Sequence, residues 1–211
     1  MRILFPRGAV RAGVAVLVAI SLSGCISLLP KTAPAQLYRF GADSAAVAPP
    51  PTAGPRFTVR PASISFEQAA AGDRILTITG DQAAYVGGAR WVGPAGSLFE
   101  AALTRAFDVH AGPARLLAAG EPAPGDYVLK VDVRAFEARY DKGRDAAPRA
   151  VVEVYAALSD RKDSRIESSR LFQVTTPAGS NSVHAIAAAF DDAVLKVLTQ
   201  LVAWVDTKGQ A

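Results

Sequence analysis

One stretch in the second half of the chain has a strict two-residue period. Residues 126–134 read DYVLKVDVR. The apolar side chains at Tyr127, Leu129, Val131 and Val133 alternate with positions that are mostly charged. A period of two predicts a β-strand with one face in a core and the other in water, a pattern typical of antiparallel sheets.

Two similar stretches follow it along the chain. Residues 150–158 and 166–176 are both predicted strands, and the charged turn 160–165 joins them. Consecutive strands joined by short polar turns predict an antiparallel meander. Phe136 and Tyr140 fall out of phase with the first strand, which predicts a bulge or a change of face after residue 134.

A long amphipathic helix is predicted over Val183–Val205. Its apolar stripe recurs at steps of three and four residues, and we expect it to pack on the sheet. Asp191 and Asp192 lie off this stripe and are predicted to be solvated. The stripe consists of Val183, Ile186, Phe190, Val194, Val197, Leu201 and Trp204.

The first half of the chain has shorter elements. A helix is predicted over Pro94–Val109, buried on its phenylalanine side. Gly41–Pro55, which contains Pro49-Pro50-Pro51, is predicted to be a loop or linker because proline interrupts both helix and strand. Gly87-Gly88 is predicted to break the chain. The predicted strands are 37–40, 56–61, 74–79 and 81–86.

These elements predict an α+β fold, with a mostly antiparallel sheet and two main helices packed on it. The domain is predicted to cover residues 37–205, followed by a polar tail at 206–211. It is preceded by a signal segment at 1–24 and a flexible tether at 25–36, which contains Pro30 and Pro34.

The amino-terminal segment has the layout of a secretory signal. Three arginines, at positions 2, 7 and 11, precede the apolar run Ala12–Leu22. That run has eleven residues, whereas a helix that spans a bilayer needs about 20. The segment ends in Leu22-Ser23-Gly24-Cys25, which resembles the bacterial lipobox. The motif implies cleavage before Cys25, a diacylglycerol on its thiol and an acyl chain on its new amino group.

The charge balance argues against a nucleic-acid partner. The formal net charge is +4, but the first 24 residues contain three arginines and no acid. The remaining chain has 20 basic and 19 acidic side chains, so it lacks the basic footprint of a nucleic-acid-binding protein. Cys25 is the only cysteine, so the fold is expected to need no disulfide.

The sequence contains no motif typical of a catalytic site or a metal site. His110 and His184 are the only histidines, and neither has a second histidine or a cysteine at metal-ligand spacing. His110 is expected at a helix C-terminus and His184 on the surface. There is no nucleophile-elbow or phosphate-loop motif. We therefore predict that the protein is not an enzyme and binds no metal or cofactor beyond the lipid on Cys25.

Three neighbouring residues are candidates for contact with a partner or a lipid. Trp91 lies between Gly87-Gly88 and Gly93-Pro94, with Tyr85 and Arg90 close by. Tryptophan is enriched where protein surfaces bind partners, but it is also a common core residue. The sequence leaves both interpretations of Trp91 and Tyr85 open.

Taken together, these features resemble the ABC-type transport auxiliary lipoprotein family, which includes PqiC-like proteins. The resemblance rests on the order and spacing of short motifs, and it covers most of the chain after Cys25. The motifs are Cys25 itself, Leu37–Phe40, Tyr85, Arg90-Trp91, Phe136-Glu137, Phe172 before Thr176-Pro177, and Ala203–Val205.

The resemblance implies a non-catalytic periplasmic lipoprotein that works beside an MCE-type transporter of lipids between membranes. Its partner would be a lipid-binding MCE protein, and the chain could also form a homo-oligomer. In many Gram-negative bacteria an aspartate directly after the lipidated cysteine favours retention in the inner membrane, and Ile26 stands at that position here. The resemblance to this sorting pattern implies the periplasmic face of the outer membrane rather than the inner membrane.

Two other functions remain open. The first is a stand-alone periplasmic lipid carrier, with an apolar cavity between the last helix and the sheet. The second is an outer-membrane assembly lipoprotein with a β-barrel partner.

Overall fold

A computed structural model describes residues 34–42 and 57–208. The signal segment, Cys25, most of the tether, residues 43–56 and residues 209–211 lie outside the described part. The strands are β1 (Gln36–Tyr38), β2 (Phe57–Pro61), β3 (Ser65–Phe66), β4 (Arg74–Thr79), β5 (Gln82–Trp91), β6 (Ala114–Leu116), β7 (Tyr127–Arg139), β8 (Arg149–Asp160) and β9 (Ile166–Pro177). The helices are α1 (Ala95–Val109) and α2 (Val183–Lys208).

The meander predicted from residues 126–176 is confirmed. β7 pairs antiparallel with β8 over its whole length, and β8 pairs antiparallel with β9. The β7–β8 register shifts between Val133 and Ala135, which confirms the predicted bulge. Because of this shift, Phe136 takes a core position with 2% of its surface exposed.

The other edge of β7 pairs with three short strands in succession. β2, β3 and β4 each run parallel to β7, through the pairs Val59–Tyr127, Phe66–Val133 and Thr77–Ala138. β6 adds parallel to β2, β5 adds antiparallel to β4, and β1 adds parallel to β5. The sheet is thus mixed, and its longest ladders are antiparallel, which confirms the predicted α+β class.

Helix α2 covers the meander. Its predicted stripe is buried from Ile186 to Trp204, and it packs on β8 and β9. The Ser182 Oγ accepts a hydrogen bond of 3.2 Å from the Ala185 N–H and caps the first turn. The helix continues to Lys208, three residues beyond the end predicted at Val205.

Helix α1 contacts α2 and the short strand β6. Its buried residues are Ala95, Phe99, Ala102, Leu103 and Phe107, which confirms the predicted phenylalanine face. The helix starts directly after its N-cap residue Pro94, and no side chain caps this end with a hydrogen bond.

The sequence had predicted a break at Gly87-Gly88, and this prediction is wrong. Both glycines lie inside β5, where the pairing with β4 shifts from Leu76–Tyr85 to Arg74–Arg90. Gly88 has a φ of +67°, a conformation that glycine adopts without strain. The glycines therefore form an irregularity within one strand.

Candidate partner-binding surface

Trp91 lies in the core, which is one of the two interpretations that the sequence left open. Its side chain is 1% exposed. Its ring centroid lies 5.0 Å from that of Phe40 and 5.4 Å from that of Phe190, both in edge-on geometry. The indole Nε1–H has no hydrogen-bond partner within the described residues. Ring packing therefore holds Trp91 in place, and a partner cannot reach it.

Arg90 is on the solvent side of β5, because side chains alternate along a strand and Trp91 faces the core. Its Nη1 donates to both carboxylate oxygens of Asp73 at 2.9 Å. The Trp91 N–H donates to the Asp73 backbone oxygen at 2.7 Å. Arg90 is thus positioned by the segment that enters β4, with nearly half of its side chain exposed.

Tyr85 is fixed at two points. Its hydroxyl donates to the Ala69 carbonyl oxygen at 3.0 Å. The Arg74 guanidinium carbon lies 3.8 Å from the centroid of its ring, close enough for a cation–π contact. Arg74 also pairs with Arg90 in the β4–β5 register, so Tyr85 and Arg90 lie on one continuous surface.

Two exposed apolar side chains extend this surface. Leu37 pairs with Arg90 in register and is 63% exposed. Val92, which follows β5, is 53% exposed, and its N–H donates to the backbone carbonyl oxygen of Tyr38. We name Leu37, Arg74, Tyr85, Arg90 and Val92 the β5 surface. Its mixture of aromatic, arginine and aliphatic groups is typical of protein-binding surfaces, where aromatic and arginine side chains carry much of the binding energy.

The sequence had not singled out Leu37, Arg74 or Val92 as contact residues. Leu37 belongs to a strand of three residues. Such a strand is too short for its pattern to show which side chain faces the core. The contact between Arg74 and Tyr85 depends on the irregular β4–β5 register, which the sequence does not show.

His110 forms a structural contact. It is the C-cap residue of α1, as the sequence suggested, and its Nε2 is paired with the Asp206 Oδ2. The Asp206 Oδ1 accepts the Ala114 N–H at 3.1 Å. Asp206 is buried, and its carboxylate joins the last turn of α2 to the end of α1. His184 is exposed, as expected.

Asp191 and Asp192 have structural partners, which corrects the prediction of a merely solvated face. The Asp191 Oδ1 accepts the Gly41 N–H at 2.6 Å. The Asp192 Oδ2 accepts from the Lys196 Nζ at 2.6 Å and from the Thr176 hydroxyl at 3.0 Å. These bonds, that of Lys196 foremost, hold the pKa of Asp192 below its ordinary value.

Side chains fill the contact between α2 and the sheet. The Phe190 ring centroid lies 4.8 Å from that of Phe136, and Trp204 lies 5.8 Å from Phe172. At these positions the aromatic rings occupy the space in which a stand-alone carrier would hold its lipid.

Neither a metal site nor a membrane span is found in the described part. No cluster of three histidine, cysteine or acidic side chains there could hold a metal ion. Of the helices described, none is both long enough and apolar enough to cross a bilayer.

Comparison with solved structures shows related folds. Protein XCC0632 from Xanthomonas campestris, assigned to family DUF330, is 30% identical, with a TM-score of 0.71 over 83% of this chain and 97% of that chain. An uncharacterized protein, 13% identical, has a TM-score of 0.63 over 82% of this chain and 99% of that one. The hypothetical protein CT253 from Chlamydia trachomatis, 11% identical, has a TM-score of 0.50 over 72% and 96%. The latter two show the fold alone.

Comparison with curated proteins finds no match. The model of one protein family, described as the ABC-type transport auxiliary lipoprotein component, matches residues 38–202. The match covers every strand from β2 to β9, helix α1 and most of α2. The fold, the coverage and the order of the motifs agree, and the chain belongs to this family of auxiliary lipoproteins of ABC-type transporters.

Proposed function

We propose that the protein is a non-catalytic lipoprotein of an MCE-type ABC system that transports lipid between membranes. The single observation that carries this proposal is the family match over residues 38–202. The family description names an auxiliary component, which implies a transporter in separate chains. An MCE protein as direct partner is our own inference.

The anchor in this proposal is Cys25. Burial of an acyl chain contributes about 0.8 kcal/mol per methylene, and stable attachment takes more than one chain. A diacylglycerol and an amino-terminal acyl group meet that requirement. Ile26 after the cysteine supports attachment to the periplasmic face of the outer membrane. Residues 26–35 then give the domain its reach.

The docking site in this proposal is the β5 surface. It begins at Leu37, directly after the tether, and half or more of Leu37 and Val92 is exposed to water. Covering them would remove apolar area from water, which favours association. Arg90 and Tyr85 already have fixed positions, so little side-chain entropy would be lost when a partner binds.

In-vivo cross-linking would test the transport role. A tagged full-length chain would be cross-linked in intact cells, and captured proteins would be identified by mass spectrometry. We expect an MCE-type protein among them. Recovery of a β-barrel protein alone would contradict the proposal and support the outer-membrane assembly function.

A matched pair of double variants would test the β5 surface. We expect Tyr85→Ala with Arg90→Ala to reduce the yield of the MCE adduct. The control is Tyr155→Ala with Arg134→Ala, since Arg134 lies 4.4 Å from the Tyr155 ring in a similar contact on β7 and β8. Equal yields from the two double variants would contradict this docking site.

Cell fractionation would test the anchor separately. We expect Cys25→Ala to shift the protein from the membrane to the soluble fraction or to leave its signal uncut. A correctly processed Cys25→Ala protein that stays in the membrane would show that another contact holds it there. The readout does not depend on the identity of the transporter.

A further inference from the structure

Strand β9 has an open edge. In the described part of the chain it pairs only with β8, so its other side presents unpaired backbone groups. Two large apolar side chains on this strand face water, Ile166 at 62% and Leu171 at 50% exposure. A long, exposed edge strand is a template for pairing with another strand. β9 has twelve residues, and its only proline is the last of them, Pro177.

A bulge brings the two exposed apolar side chains to one face. In the β8–β9 register, Ser159 pairs with Ile166 and Leu158 pairs with Ser168, so Glu167 is an extra residue. Leu171 pairs with Tyr155. Ser159 and Tyr155 lie on the face of β8 opposite the buried Leu158, so Ile166 and Leu171 share that helix-free face.

The segment 166–171 reads IESSRL, with an apolar residue at each end and opposite charges at Glu167 and Arg170. We propose that β9 pairs antiparallel with β9 of a second copy of this chain, with Ser169 at the two-fold axis and with Glu167 bulged in this ladder as it is in the ladder with β8. In this register Ile166 lies against Leu171 of the second copy on the helix-free face. Ser168 lies opposite Arg170 of the second copy, and the bulged Glu167 lies beside that arginine.

Charge complementarity supports a second copy as the partner. Both Glu167 and Arg170 are exposed, and the two-fold axis brings Glu167 of one copy next to Arg170 of the other. Opposite charges and apolar pairs across strands are each stabilising by about 0.2–1 kcal/mol, and symmetry doubles every pair. A contact of six residues is smaller than the roughly 800 Å² per partner of a stable complex. The dimer is therefore expected to be reversible.

Disulfide trapping in the full-length protein would test this register. Directly opposed residues of antiparallel strands have Cβ atoms about 4.5–5.5 Å apart, near the range that a disulfide bridges. We expect Ser169→Cys to give a disulfide-linked dimer under mild oxidation in membranes. Thr175→Cys is the matched control, because Thr175 is also exposed but would lie beyond the start of the second β9.

The unmodified protein, which contains Cys25 alone, sets the background. Equal dimer yields at 169 and 175, no dimer at 169 above that background, or a disulfide to a different protein would each overturn the proposal. The result does not depend on the transport role or on the lipid, because trapping needs only the folded domain and the introduced thiol.

Charge reversal gives an independent test. In the Ser169→Cys background, Glu167→Arg alone and Arg170→Glu alone should each reduce the dimer yield, because like charges then meet across the axis. The combined reversal restores opposite charges and should recover most of the yield. Failure of the combined reversal to recover the dimer would refute the register.

Discussion

Replacing Phe136 tests the central packing of the fold. Its ring centroid lies 4.8–6.1 Å from the centroids of four other aromatic rings, those of Phe40, Phe66, Trp91 and Phe190. The side chain is 2% exposed, and it joins β7 to α2 and to β5. Phe136→Ala removes these contacts and leaves a cavity, so we expect the free energy of unfolding to fall by about 3–5 kcal/mol.

Thermal unfolding of the full-length protein, followed by circular dichroism, would measure this loss. For a domain of this size about 1 kcal/mol corresponds to about 2–4 °C, so Phe136→Ala should lower the Tm by about 6–20 °C. Phe136→Leu keeps most of the volume and should lose less. The control is Leu195→Ala at an exposed position, with an expected change below about 1 kcal/mol.

A loss at Phe136 no larger than the loss at Leu195 would refute this reasoning. It would mean that the aromatic cluster is loosely packed, because a well-packed core does not tolerate removal of a whole ring. An equal loss for Phe136→Ala and Phe136→Leu would mean that ring contacts, rather than filled volume, provide the stability.

Two further predictions concern the loops. Gly41→Ala should lower the free energy of unfolding by about 2–5 kcal/mol, because Gly41 has a φ of +65° and a Cβ there would lie 2.5 Å from the Ala102 Cβ. Gly80→Ala is the control, because Gly80 has a similar φ of +59° but open space around it. Equal losses of Tm in the two variants would contradict the steric cause. The N–H and hydroxyl of Thr58 hold the pKa of Asp126 below its ordinary value of 3.8. Its stabilising effect is therefore complete above that pH and is lost as the pH falls below it, through the lower folded-state pKa. As the pH is lowered from 5, Asp126→Asn should therefore lose less stability than the unmodified protein, and identical pH profiles would contradict this.

Elements with a strict period were predictable from the sequence. Strands β7 to β9 and helix α2 each show one face in the sequence because burial selects apolar residues at every second, or every third and fourth, position. β6 was missed, since three residues after Gly112-Pro113 are too few to show a period. The parallel pairs of β7 were missed because they join segments far apart in the chain.

The candidate site was predictable only in part. Tyr85 and Arg90 are on the surface, as a contact role requires, whereas Trp91 is in the core. The alternation that makes Trp91 buried makes Arg90 exposed, and the irregular β4–β5 register hides this from the sequence. The contact between His110 and Asp206 joins the ends of two helices, and no local pattern marks such a pair.

The parallel pairing of β7 also sets an order for the newly made chain. β2, β3 and β4 all precede β7, and Val59 must wait for Tyr127 before that ladder can form. Pairing over such a separation closes a large loop and makes folding slow. A growing chain therefore cannot complete the centre of its sheet until β7 has been synthesised. For a protein with the signal segment proposed here, that delay leaves the sheet incomplete while the chain passes through a narrow export channel.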